Sequence, residues 1–299
     1  MVPGIEQRYF TAPDGTRIGY QVRGAGPAVV LANGLGGIYK AFVHVYDALG
    51  TEYRVLCWDY RGLATSQRPR DLSTLSVGHQ VEDLLGILDA EGIDRAVCVG
   101  WSMGVQVAFE LVRRAAGRVA GIVAINGTCG RPFDSALSSR AMRYVIPQLL
   151  RAIRAQRALV GAATRRAVDW DGAVPLLQRA GLVSRSLDVD AFRAVAATFR
   201  DVDWDVYTRL MERLGEHDAC DVLPSVRVPV LIITGDRDVL TPVSTAERIH
   251  RAVRGSRLVV IEGGTHYTPV EYPSIIQDEL RRFLQRVGGW EPAAREGAD

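Results

Sequence analysis

A serine between two glycines is the feature of this sequence that points most directly to chemistry. Residues 100–104 read Gly-Trp-Ser-Met-Gly, after a β-branched run and before an apolar stretch typical of a helix. Gly-x-Ser-x-Gly between a strand and a helix is the pattern of a nucleophile elbow, a sharp turn that presents a serine hydroxyl at a sheet edge. Glycine suits such a turn because neighbouring chain approaches too closely for a Cβ atom. The pattern predicts Ser102 as a nucleophile, although the five residues alone also fit an ordinary tight turn.

The elements around this turn would position the serine. Asp14 and Gly15 separate two alternating runs, which predicts a β-hairpin. Further along the chain, apolar runs typical of buried strands alternate with segments of helical periodicity. The strands are predicted at 28–32, 55–58, 96–99, 119–125, 230–234 and 257–261, and the flanking helices at 76–91, 243–253 and 274–287. This alternation predicts an α/β fold with a mostly parallel sheet covered on both faces.

Three other loops with polar or glycine residues also follow predicted strands. They are the glycine loop at residues 33–37 (Asn-Gly-Leu-Gly-Gly), an acidic loop at 235–238 (Gly-Asp-Arg-Asp) and a histidine loop at 263–266 (Gly-Gly-Thr-His). Ligands of parallel sheets bind outside the carboxyl ends of the strands. We therefore expect these loops to surround the site that contains Ser102.

The helical pattern changes in the middle of the chain. From about residue 130 to 222 helices follow one another without parallel strands, with segments predicted at 138–150, 150–164, 190–199 and 207–214. We expect residues 1–129 and 223–287 to form the core and residues 130–222 to form a helical cap over the strand ends. Residues 288–299 are expected to be a disordered tail.

Composition limits the classes of partner. The chain has 299 residues, 47% of them hydrophobic, and a formal net charge of +2. So small a charge offers no electrostatic basis for nucleic-acid binding, and no apolar run reaches the length of a membrane helix. The residues at the start lack the basic and apolar pattern of a secretion signal, so we expect a cytoplasmic protein without a membrane partner.

The four cysteines carry no recognisable motif. Cys57, Cys98, Cys129 and Cys220 lie far apart, without Cys-x-x-Cys or Cys/His ligand spacing. This spacing predicts reduced, apolar side chains and neither a disulfide nor a zinc site.

With these motifs in view, nearly the whole chain resembles the α/β-hydrolase superfamily, in particular its serine-esterase and cofactor-free haloperoxidase (perhydrolase)-like branch with a helical cap. The glycine loop resembles the His-Gly loop of that family, residues 100–104 its elbow, residues 235–242 its acid loop and residues 263–266 its histidine loop. The order serine, aspartate, histidine is the order that this fold uses.

The resemblance implies a catalytic role for three residues. Ser102 would be the nucleophile, His266 the general base and Asp238 the acid that orients the imidazole. Asp236 is the alternative acid. Asp238 is preferred because in similar families the acid precedes the loop proline, here Pro242, by four positions.

The resemblance also implies an oxyanion hole formed by the backbone N–H groups of Leu35 and Met103. Asn33 stands where the family usually has histidine, which questions the bracing of the glycine loop rather than the backbone donors. Asn33, Gly34 and Trp101 are expected to contribute to the pocket. A second departure is Ala64, where the family often has glycine.

The cap contains a run of arginines with no acidic residue between them. This run is either a solvated face opposite an apolar one or a docking surface for an anionic substrate or an acidic carrier. Its members are Arg140, Arg143, Arg151, Arg154, Arg157, Arg165 and Arg166.

The function implied by the resemblance is cleavage of a carboxylic ester or lactone through an acyl-enzyme, with no cofactor and no metal. Serine rather than aspartate at the elbow argues against haloalkane dehalogenases and epoxide hydrolases. Carbon–carbon bond hydrolases and perhydrolases share the same three residues, and both remain open. The alternative from another class is a hydrolase-like receptor that binds a ligand and turns over slowly.

Overall fold

One eight-stranded sheet organises the computed structural model, which describes residues 4–288. The strands follow the order β1-β2-β4-β3-β5-β6-β7-β8, in which β1 and β2 pair antiparallel and β3 to β8 are parallel. The strand bounds are β1 Glu6–Thr11, β2 Arg17–Arg23, β3 Ala28–Ala32, β4 Arg54–Trp58, β5 Ala96–Trp101, β6 Val119–Ile125, β7 Val230–Gly235 and β8 Arg257–Ile261. The predicted α/β fold with a mostly parallel sheet is confirmed.

Eleven α-helices accompany these strands within the described residues. They are α1 Val43–Leu49, α2 Val77–Ala90, α3 Met103–Ala115, α4 Met142–Ala155, α5 Arg157–Asp169, α6 Ala173–Arg179, α7 Val189–Ala196, α8 Trp204–Glu216, α9 Val243–Ala252, α10 Thr268–Glu271 and α11 Pro273–Val287. The sequence pattern missed α1, α6 and α10, which have seven, seven and four residues. Helices of two turns or fewer are too short to show a helical period. No helix in residues 4–288 has the length and apolar character needed to cross a membrane.

The core lies in two apolar layers, one on each face of the sheet. Successive residues of a strand point to opposite faces, so Cys98 of β5 packs into one layer while Val97 and Val99 pack into the other. One layer includes residues of α2, α3 and α9, and the other includes residues of α1 and α11. Burial on both faces explains why these strands appear in the sequence as continuous apolar runs.

Only helices and turns are found between β6 and β7 in the described chain. They comprise α4 to α8 and short 3-10 turns, and α4 packs against α8. The division into core and cap at residues 130 and 222 stays a prediction. Apart from Gly288, the predicted tail at 288–299 lies outside the described residues.

A disulfide joins Cys129 to Cys220, so the prediction of four reduced cysteines is wrong for this pair. Cys129 follows β6 and Cys220 precedes β7, and their Cα atoms lie 4.8 Å apart although 91 positions separate them in the sequence. The Ala219 N–H donates to the Cys129 carbonyl at 2.8 Å, which brings the two ends of the helical insertion together. Cys57 and Cys98 are free and buried.

Candidate active site

Ser102 lies in the turn between β5 and α3. Its backbone has φ 56° and ψ −114°, a strained conformation for a residue with a side chain. A Cβ atom on Gly104 would lie 2.0 Å from the Ala32 carbonyl oxygen, so only glycine fits there. The local sequence thus produces a tight strand-to-helix turn, which places the Ser102 hydroxyl at the carboxyl edge of the sheet and the amino end of α3.

Ser102, His266 and Asp238 form a continuous chain of hydrogen bonds. Ser102 Oγ lies 2.8 Å from His266 Nε2, and His266 Nδ1 lies 2.9 Å from Asp238 Oδ2. Trp101 Nε1–H donates to the His266 carbonyl at 2.8 Å and so holds the histidine loop against β5. In this arrangement Nδ1–H donates to the carboxylate, which leaves the Nε2 lone pair to accept from the serine hydroxyl.

Asp238 is held in one orientation by donors on both of its oxygens. Its Oδ1 accepts from the N–H groups of Leu240 and Thr241, both at 2.9 Å. Its Oδ2 accepts from Thr241 Oγ1–H at 2.7 Å and from Asn126 Nδ2–H at 2.8 Å. Burial by itself raises the pKa of Asp238, but hydrogen bonds and charge from His266, together with the Thr241 donors, bring the net pKa below its usual value. These donors and the lowered pKa favour the charged carboxylate form of Asp238.

Asp236, the alternative acid, has a different position. Its side chain is exposed, and its Oδ1 accepts from the Gly263 N–H at 2.7 Å. Asp236 thus joins the acidic loop to the histidine loop near the surface. The carboxylate that accepts from His266 Nδ1–H is that of Asp238.

Asn126 supports the site in a way that the sequence did not indicate. Besides Asp238 Oδ2, its Nδ2–H donates to the Thr265 carbonyl at 3.1 Å, and its Oδ1 accepts from Thr268 Oγ1–H. Asn126 also has a positive φ of 45°, an unusual conformation that asparagine tolerates better than most residues. The available signal was its position directly after β6, between the strands that carry Ser102 and Asp238.

The glycine loop lies beside the serine. A Cβ atom on Gly34 would lie 3.3 Å from Ser102 Cβ, and Gly36 has φ +79°. Leu35 lines the cavity above Ser102, and Met103 is the first residue of α3, where N–H groups have no partner within the helix. Leu35 thus lines the same cavity as Ser102, Met103 follows Ser102 in the chain, and the role of their N–H groups in an oxyanion hole stays a prediction.

Asn33 lies elsewhere than predicted. It is fully buried, its Nδ2–H donates to Cys57 Sγ at 2.9 Å, and its carbonyl accepts from Tyr60 O–H at 2.6 Å. Asn33 therefore connects the start of the glycine loop to β4. It does not line the cavity, because its side chain points towards β4. Gly34 and Trp101 do line it.

The active-site cavity has a volume of about 380 Å³ and opens onto Ser102 and His266. Most of its wall is apolar or aromatic. The contributing residues beyond the sheet edge include Phe133, Ile146, Leu149, Leu150, Ile153, Val195, Phe199, Tyr207, Met211, Leu214, Leu240 and Tyr267. Most of these belong to α4, α8 and the segment between α7 and α8, so the helical insertion forms most of the wall.

The other four histidines have partners away from Ser102. His44, His79, His217 and His250 contact, respectively, Asp188, Ser76, Gln106 with Glu110, and Ser256. Within residues 4–288, no three or more His, Cys, Asp or Glu side chains are grouped so that they could hold a metal ion.

The fold and the geometry of this site indicate a class of protein, and comparison with known proteins identifies the family. Residues 27–273 match the family described as alpha/beta hydrolase fold, and the chain belongs to that family.

Three individual proteins illustrate the similarity. An uncharacterised protein of Mycobacterium bovis is 30% identical, over 97% of this chain and 83% of that protein. A candidate carbamate hydrolase of Escherichia coli, RutD, is 28% identical over 83% of this chain and 87% of that protein. The crystal structure of the enol-lactonase from Burkholderia xenovorans superposes with a TM-score of 0.75 at 23% identity, covering 93% of this chain and 100% of that one. At such identity the structural likeness shows the fold.

Proposed function

We propose that this protein is a serine hydrolase that cleaves a carboxylic ester or lactone. The observation that carries the proposal is the hydrogen-bonded chain from Ser102 through His266 to Asp238, whose first two members line an apolar cavity. Membership of the α/β-hydrolase family supports hydrolysis, and the lactonase and carbamate hydrolase names of similar proteins favour an acyl carbon as the site of attack.

The first half of the proposed reaction forms an acyl-enzyme. His266 Nε2 takes the proton of Ser102 as Oγ attacks the substrate carbonyl, and the carbonyl electron pair moves onto oxygen. The N–H groups of Leu35 and Met103 donate to that oxyanion, and each such donor is typically worth about 3 kcal/mol. When the tetrahedral intermediate collapses, His266 gives its proton to the leaving alcohol oxygen and the carbonyl re-forms.

The second half releases the acid. Water attacks the acyl carbon while His266 accepts one of its protons, and collapse of the second intermediate returns that proton to Ser102 Oγ. The carboxylic acid leaves, and no atom or electron is left over. Throughout, the carboxylate of Asp238 stabilises the imidazolium and holds its tautomer.

The cavity favours an apolar substrate body. Its wall consists mainly of aliphatic and aromatic side chains, and no arginine of the described chain lines it. Each methylene buried there would contribute about 0.8 kcal/mol to binding until the cavity is full. The rate on a series of esters should therefore rise with acyl length and then fall.

The cap arginines lie outside this cavity. Arg143 pairs with Asp134 at 3.3 Å and Arg154 with Glu212 at 2.5 Å. The other five of the run have no ion-pair partner within residues 4–288, so docking of an anionic substrate or an acidic carrier is a proposal for the outer surface of the cap.

The test is the steady-state rate on p-nitrophenyl esters from acetate to decanoate. Ser102→Ala should lower kcat/KM by about 10³-fold or more. Ser186→Ala, which changes an exposed serine of the cap, should leave it unchanged.

Other outcomes separate the alternatives. A single burst of about one product per protein, with ligand-dependent thermal stabilisation, would indicate a hydrolase-like receptor. No turnover of any ester or lactone would contradict the proposal. A carbon–carbon bond hydrolase or a perhydrolase would then be the alternative, tested on a diketone and with peroxide.

A further inference from the structure

A second cavity, of about 410 Å³, lies next to the glycine loop and is separate from the active-site cavity in its lining. Ile38, Tyr39 and Lys40, which continue the chain from the glycine loop, form one wall. The helical insertion contributes Thr198, whose Oγ1–H also approaches the Gly36 carbonyl at 3.3 Å. We call this space the Lys40 cavity. It lies where the sheet core meets the insertion.

Lys40 is the only lysine in a chain with 36 basic residues of the Lys and Arg types. Its side chain is partly buried and makes no hydrogen bond or ion pair with any residue between 4 and 288. The hydroxyl of the adjacent Tyr39 also lacks a hydrogen-bond partner in that range, and burial raises the pKa of Tyr39, which keeps it a donor. The ammonium and the phenol belong to two residues that line the same cavity, and they are unused donors suited to an anion.

Two buried acceptors without a donor belong to residues that line the same cavity. Asp59 Oδ2 accepts from Thr65 N–H at 3.1 Å, from Thr65 Oγ1–H at 2.5 Å and from Gln21 Nε2–H at 3.2 Å. Asp59 Oδ1 and Gln21 Oε1, in contrast, are buried without a donor in the described structure. Asp59 is 2% and Gln21 1% exposed, and buried acceptors of this kind are normally hydrogen-bonded.

The wall also contains strained backbone. Ala64, the residue that stands where related sequences often have glycine, has a positive φ of 47°. This conformation is unfavourable for alanine, and the next residue, Thr65, donates to Asp59. Strained backbone next to unsatisfied polar groups is a frequent feature of binding sites.

We propose that the Lys40 cavity binds a small organic anion that carries a hydroxyl group, that is, a hydroxycarboxylate. The carboxylate would lie on the Lys40 ammonium and the Tyr39 hydroxyl. The ligand hydroxyl would donate to Asp59 Oδ1 or Gln21 Oε1. The reverse orientation is less favourable because it would bring the ligand carboxylate against Asp59, and two carboxylates in contact repel. Since Thr198 belongs to the insertion, the bound ligand would connect the insertion to the core.

The single lysine makes a direct test possible. Reductive methylation with carbon-13 formaldehyde labels only Lys40 and the terminal amine and keeps the positive charge of Lys40. Glycolate, lactate and gluconate should shift the Lys40 methyl resonance saturably at constant ionic strength. Acetate and propionate, which lack the hydroxyl, and sorbitol, which lacks the carboxylate, should bind at least about tenfold more weakly.

Unlabelled variants provide the second readout, the thermal stabilisation by gluconate. Lys40→Met should abolish the stabilisation and Lys40→Arg should retain most of it, since arginine keeps the charge. Thr198→Val should weaken it. Protein whose Ser102 is blocked with phenylmethylsulfonyl fluoride should bind as before, which separates this site from the active-site cavity.

Three results would overturn the proposal. The first is no saturable shift with any of the three hydroxycarboxylates, and the second is an equal shift with acetate or propionate. The third is stabilisation that survives in Lys40→Met or disappears when Ser102 is blocked, because the ligand would then occupy another place. None of these readouts depends on esterase turnover, so the inference stands or falls independently of the proposed reaction.

Discussion

Replacing Asp238 by asparagine is the sharpest test of the active site, because the surroundings dictate how the new amide must lie. The two N–H groups that donate to Oδ1 come from Leu240 and Thr241, so the amide carbonyl must occupy the Oδ1 position. The amide NH₂ then takes the Oδ2 position and faces His266 Nδ1 at about the present separation of 2.9 Å. In the opposite orientation, the amide NH₂ would face two backbone N–H donors, which is unfavourable.

An NH₂ donor at the Oδ2 position would reverse the tautomer of His266. Nδ1 must accept, the proton moves to Nε2, and Nε2–H can no longer take the proton of Ser102. The NH₂ group would also meet the Asn126 Nδ2–H that now donates to Oδ2, and the stabilisation of the imidazolium by the carboxylate is lost. Loss of the correct tautomer in such a triad costs about 10⁴-fold in kcat, or about 5.4 kcal/mol of barrier.

The assay is kcat and KM on the best p-nitrophenyl ester, with Asp236→Asn as the matched control. Asp236 uses Oδ1 to accept from the Gly263 N–H, and an asparagine carbonyl can do the same, so we expect that variant to stay within about threefold of wild type. KM should change little in Asp238→Asn because no cavity wall is altered. A severe loss in Asp236→Asn with near-normal Asp238→Asn would refute the assignment.

Three other predictions concern stability and the glycine loop. Breaking the Cys129–Cys220 disulfide by Cys220→Ser opens a loop of 91 positions, whose closure entropy is worth at most about 4.6 kcal/mol. We expect a loss of about 2–4 kcal/mol in urea unfolding, and an unchanged midpoint would argue against the bond. Gly36→Ala puts a Cβ atom 2.5 Å from Phe199 Cζ at φ +79°, so kcat and Tm should fall, and Phe199→Ala should restore them only in part; full activity in Gly36→Ala would contradict this. The lowered pKa of Asp238 adds stability that is complete above its unfolded pKa of about 3.9 and is lost as pH falls through the lower folded pKa. Urea unfolding below about pH 4 should therefore show a steeper loss in wild type than in Asp238→Asn, and equal slopes would contradict it.

Local patterns in the sequence were sufficient for the fold. Strands buried on both faces appear as short β-branched runs, and the alternation of such runs with helical periods predicts a parallel sheet. The Gly-x-Ser-x-Gly box lies between two such elements and marks the Ser102 turn by its glycines. Because the carboxyl ends of parallel strands share one edge, the position of His266 after β8 was enough to place it near Ser102. These inferences depend on neighbours in the chain, and the sequence records neighbours directly.

What the tertiary structure decided depends on contacts between distant positions. Asp236 and Asp238 are two residues apart and chemically identical, and only the packing of the acidic loop shows which carboxylate meets the imidazole. The Cys129–Cys220 bond forms because β6 and β7 are adjacent strands, so both ends of the insertion return to the same place. No residue spacing encodes that return.

The same holds for the features that no motif announced. Asn126 contacts Asp238 across 112 positions, while Asn33 turns away from the cavity towards Cys57. No motif surrounds the single lysine, Lys40, in the sequence. Only folding places it in the same cavity wall as Gln21 and Asp59, whose side chains each contain an unpaired oxygen. Sequence determines which groups are available, and the long-range packing of apolar layers determines which of them meet.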